Sequence, residues 1–87
     1  MLSNRSDLPS GPVLPLGLMT SGESGEIITV RGGERMSRRI AELGLVPGAI
    51  VSIVGDAGGR GPVIVKTNGT RIGLGRGMAR CVIVRPT

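Results

Sequence analysis

From Glu26 to Arg31 the run Glu-Ile-Ile-Thr-Val-Arg is rich in β-branched residues and stops at Gly32-Gly33, which predicts a first strand closed by a turn. The period then changes. Between Glu34 and Leu43 the apolar residues Met36, Ile40 and Leu43 stand at i, i+4 and i+7 while Arg35, Arg38, Arg39 and Glu42 share another face, the pattern of a short amphipathic helix. Glu34 lies in its first turn, where the helix dipole favours an anion, and Gly44 follows where a left-handed C-terminal cap is wanted. Pro47 forbids continuation. Leu43 and Leu45 are expected to pack inward, with Pro47-Gly48 turning the chain into the next strand.

Period-2 patterning resumes over Ala49 to Val54, followed by the glycine-rich loop Gly55 to Gly61 and a further strand from Pro62 to Thr67. Asn68-Gly69 then supplies the two positive φ values of a type I′ hairpin turn, which fixes the register. Thr67 faces Thr70, Val65 faces Ile72 and Val63 faces Leu74 on one side of the pleat, and the like-charged Lys66 and Arg71 share the watered side. Gly75 to Ala79 reads as a short turn, 3₁₀ at most, and Arg80 to Arg85 as the last strand. About five short strands with one helix between the first and second predict a mainly β fold, a small SH3-like barrel whose closure removes exposed edges.

Residues 1–15 contain Ser, Asn, Asp, Gly and Pro without a sustained period and are expected to form a flexible, proline-rich leader before a domain over residues 16–87. With 87 residues the chain has room for one domain, which buries only about 60% of the surface its unfolded form exposes. The core must therefore be small. There is no Phe, Tyr, Trp or His, so it is built from Val, Ile, Leu, Met and Ala, and the 16 glycines suit a compact barrel of short strands and tight turns. The uncharged stretch from Leu8 to Gly22 is broken by Pro9, Pro12 and Pro15, so no membrane insertion is expected and the protein reads as cytoplasmic. The single cysteine, Cys81, excludes an internal disulfide and reads as an inert, buried strand thiol.

The net charge is +5, ten of the eleven basic residues are arginine, and no acidic residue follows Asp56. That asymmetry points to an anionic partner, such as an acidic protein face or a phosphate. Catalytic and metal chemistry find no support: the six carboxylates Asp7, Glu23, Glu26, Glu34, Glu42 and Asp56 are scattered, and neither Cys81 nor any serine has a histidine to activate it. No catalytic residue, metal ligand or cofactor is therefore expected, and the chain reads as a non-enzyme. Nucleic acid is not expected either, although a nucleic-acid-binding barrel is the alternative that the basic excess keeps open, because single-strand platforms depend on aromatic stacking.

The string Leu43-Gly44-Leu45-Val46-Pro47-Gly48, preceded by an arginine-bearing helix and followed by a strand and a hairpin, resembles the LGLxPG signature of the FeoA family. The match runs from about Leu16 through Gly22-Glu23-Ser24-Gly25 to Val82-Ile83-Val84. This resemblance implies an SH3-like fold and an accessory or regulatory role in ferrous-iron uptake, exercised by binding the GTPase-coupled membrane transporter FeoB on its cytoplasmic side. It also carries a family-level link to transition-metal ions, for which this chain offers no donor set. The candidate partner-binding residues are Arg35, Arg38 and Arg39, whose guanidinium forks suit carboxylates and phosphates; Leu43, Gly44, Leu45, Pro47, Gly48, Asn68 and Gly69 are structural. Two further readings follow from the resemblance: a stand-alone relative of the SH3-like domain of iron-dependent repressors, and a helix arginine acting as a finger for a partner's GTPase.

Overall fold

The computed structural model describes residues 12–55 and 61–87. Residues 1–11 of the expected leader and most of the glycine-rich loop lie outside the described residues. Six strands form one antiparallel sheet: β1 (Leu14–Pro15), β2 (Ser24–Val30), β3 (Ile50–Gly55), β4 (Val63–Thr67), β5 (Thr70–Leu74) and β6 (Val82–Pro86), in the order β1-β6-β2-β3-β4-β5. A 3₁₀ turn (Leu16–Leu18) follows β1, helix α1 (Gly33–Glu42) joins β2 to β3, and helix α2 (Arg76–Cys81) joins β5 to β6.

A flat sheet of six strands would be about 24 Å wide at the usual strand spacing, too wide for its two edges to share a core. Here they do share one. Leu74 of β5, Val63 and Val65 of β4, Val51 and Ile53 of β3, Ile27 of β2, and Val82 and Val84 of β6 belong to a single buried cluster with Leu16, Ile40 and Leu45, and Leu14 of β1 packs against it. The wrapping has a local cause in two register shifts, one at Ile28 between β2 and β6 and one at Val54 between β3 and β4. Such bulges bend and twist the strand that carries them.

The hairpin forms as its turn dictates. Asn68 and Gly69 both have positive φ, at 53° and 77°, and the ladder pairs Thr67 with Thr70, Val65 with Ile72 and Val63 with Leu74. Lys66 and Arg71 are exposed, as their side of the pleat requires.

Four expectations are corrected. The sheet is not closed by a ladder, because β1 is two residues long and one of them, Pro15, has no N–H to donate; β1 and β5 remain edges. The expected turn after Gly75 is an α-helix, α2, which packs against the 3₁₀ turn, β1 and β6. Cys81 ends that helix instead of lying in a strand, is half-buried, and donates to the Gly77 carbonyl at 3.4 Å. Leu14 and Pro15, placed with the leader by sequence, pair with Val84 and Ile83 of β6.

Candidate interaction site

Backbone hydrogen bonds and one apolar contact shape the segment after α1. Leu43 is the C-cap, Gly44 follows at φ 91°, the Gly44 N–H donates to the Ala41 carbonyl at 2.9 Å, and the Leu45 N–H donates to the Ile40 carbonyl at 3.3 Å. These two bonds are the pair of a Schellman motif, which also calls for an apolar contact between the residue after the glycine and the one three positions before the cap. Leu45 and Ile40 occupy those positions, and both are fully buried. Leu43 is thereby left outside, at 37% exposure, which corrects the expectation that it packs inward.

Pro47 and Gly48 form the next turn, with Gly48 at φ 94° and the Ala49 N–H donating to the Val46 carbonyl at 3.0 Å. This is a type II turn, in which the third position requires positive φ. The Gly48 N–H donates to the Ile27 carbonyl at 2.8 Å, and the Ile27 N–H donates to the Ala49 carbonyl at 2.9 Å. The six residues therefore stop a helix, reverse the chain and tie it to β2. Their role is to hold α1 at a fixed place on the sheet.

On that helix Ile40 is buried and Met36 half-buried, so the opposite face carries the arginines outward. Arg35, Arg38 and Arg39 are all exposed. Arg38 pairs with Glu34 at 3.2 Å one turn away, both ends well in water, a pair worth at most a few tenths of a kcal/mol. Among the described residues Arg35 and Arg39 have no ion pair. The cationic face is thus fixed in direction and only partly neutralised. Arg85, by contrast, spends its charge within the sheet, bonding Glu26 across the β2–β6 ladder at 2.6 Å.

Sequence reasoning missed a second surface feature. A cleft of about 360 Å³ opens between the 3₁₀ turn and α2, lined among the described residues by Pro15, Gly17, Leu18, Arg76 and Arg80. Its only signal in the sequence is the pairing of Leu16-Gly17-Leu18 with two arginines four apart, and the local pattern of residues 75–79 favours a turn over the helix α2. Among the described residues no three of His, Cys, Asp and Glu come together in a way that could hold a metal ion. No helix of the described residues is long and apolar enough to cross a membrane.

A single antiparallel sheet wrapped round one small aliphatic core, with a helix inserted after its second strand, defines a small SH3-like domain. The FeoA domain model matches residues 14–86, so the chain belongs to the FeoA family. The likeness extends to solved structures. An iron uptake regulatory protein, FeoA, is 31% identical over 88% of this chain and 100% of its own, with a TM-score of 0.82. FeoA from Stenotrophomonas maltophilia, a prokaryotic SH3 domain protein complexed with zinc, is 28% identical over 83% of this chain and 93% of its own, with a TM-score of 0.69. A manganese-dependent transcriptional repressor shares the fold at a TM-score of 0.80, with 19% identity over 91% of this chain and 44% of its own. Among curated protein sequences none matches this chain significantly.

Proposed function

We propose that this protein is a non-catalytic, cytoplasmic accessory factor of ferrous-iron uptake that works by binding the GTPase-coupled transporter FeoB. The observation that carries this reading is the FeoA family match over nearly the whole described domain. The likeness to a FeoA described as an iron uptake regulatory protein supports the same role. The surface we assign to the contact is the arginine face of α1, where Arg35 and Arg39 present guanidinium groups to water and Arg38 is held only by an exposed carboxylate. Such a face complements an acidic patch on a protein, because guanidinium forks bind carboxylates in pairs of hydrogen bonds.

The likeness to the repressor, at 19% identity, concerns fold alone and brings no repressor function with it. Co-purification tests the assignment: detergent-solubilised FeoB from the same cells is expected to be retained on the tagged full-length chain. Absence of retention at low ionic strength would remove the functional reading.

A further inference from the structure

We infer that the cleft between the 3₁₀ turn and α2 docks a short segment of a partner protein that carries an apolar side chain next to a carboxylate. The apolar group lies against Pro15, Gly17 and Leu18, and the carboxylate meets Arg80. This deepens the proposed function by naming the chemistry of the bound segment, and it rests on that reading.

Leu18 is 69% exposed, the most exposed large apolar side chain among the described residues, and Val13 just before β1 is 47% exposed. Scattered apolar residues are ordinary on a surface, but here one borders a concave site rimmed by two arginines. The cleft is built rather than incidental. Ala79 is fully buried where α2 meets the 3₁₀ turn, and the Arg76 guanidinium spans the site, donating to the Gly61 carbonyl at 3.0 Å and to the Gly17 carbonyl at 3.4 Å. Arg76 thus fixes the walls. Arg80, one helical turn on, is exposed and has no ion pair among the described residues, and none of the described lining residues is acidic. An apolar wall beside an available guanidinium complements an apolar side chain beside a carboxylate, and a net charge of +5 disfavours a second copy of this chain as occupant.

The test is a two-dimensional amide NMR titration of the full-length, nitrogen-15-labelled chain with three blocked peptides: acetyl-Glu-Leu-Leu-Glu-amide, acetyl-Lys-Leu-Leu-Lys-amide and acetyl-Glu-Ser-Ser-Glu-amide. Shifts that saturate and concentrate on residues 14–18 and 75–81 are expected, with the first peptide at least tenfold tighter than the other two. Arg80→Glu should reverse the order of the two leucine peptides. The same spectra report whether each variant is folded, and Arg80→Gln serves if Arg80→Glu is not. Scattered shifts, or equal affinity for all three peptides, would overturn the inference. So would a concentration-dependent dimer that Leu18→Ser abolishes, since the occupant would then be this chain. Binding to the soluble cytoplasmic region of FeoB separates the two claims. At least tenfold weakening by Leu18→Ser with Arg80→Glu supports the cleft, and unchanged binding overturns it while the proposed function stands. If the wild type does not bind, the proposed function falls and the peptide titration decides the cleft.

Discussion

Leu43 and Leu45 sit two positions apart in the signature and have opposite fates, which the helix end decides. The Schellman bond from the Leu45 N–H to Ile40 brings the Leu45 side chain over Ile40, while Leu43 faces out. Leu45→Ala is accordingly expected to lower stability by about 2 to 4 kcal/mol, the usual cost of a buried leucine, and Leu43→Ala by less than about 1 kcal/mol. Chemical denaturation of the two variants checks this, and equal losses would refute the assignment of Leu45 alone to the core. Residue chemistry also bears on iron. With no histidine, one cysteine held to a backbone carbonyl and no clustered carboxylates among the described residues, the purified chain is expected to show no saturable ferrous-iron binding at low micromolar concentration. Anaerobic calorimetry decides, and a one-to-one isotherm would contradict it.

Among the elements, the β4–β5 hairpin is the most self-contained, since Asn68 and Gly69 occupy the two positive-φ positions that a tight turn demands. Gly69→Val should cost about 1 to 3 kcal/mol through strain at that position, read as a lower denaturation midpoint with the native fold retained. An unchanged midpoint would mean that the turn does not set the register. The hairpin and α1 were legible in the sequence because local rules alone specify them: a turn dipeptide with alternating strands in one case, an apolar period and a glycine cap in the other. The elements that were not legible depend on distant partners. Strand β1 has two residues and exists only because Val84 and Ile83 lie opposite. Helix α2 is six residues long, contains Gly77, and is held by packing against the 3₁₀ turn, so no periodic signal announces it. The cleft inherits both omissions, being walled by these same elements, whereas the arginine face of α1 was readable from spacing alone.

At the scale of the whole molecule, a small wrapped sheet ties down the turn that follows α1, through the bonds of Gly48 and Ala49 to Ile27 of β2, and the chain carries a net charge of +5, with Arg35, Arg38 and Arg39 exposed on α1. Surface charge of this kind acts on encounter more than on residence, and salt weakens it because the Debye length falls to about 8 Å at physiological ionic strength. The most direct measurement is the association kinetics of the full-length chain with immobilised FeoB cytoplasmic region at low and at physiological salt, for the wild type and for the triple variant Arg35→Glu, Arg38→Glu, Arg39→Glu. The wild type is expected to bind with an association rate that falls steeply with salt. The triple variant is expected to associate at least tenfold more slowly, with little change in dissociation and an intact fold. A wild type that does not bind would contradict the functional assignment, and a folded triple variant that associates as fast as the wild type would contradict the arginine face as its surface.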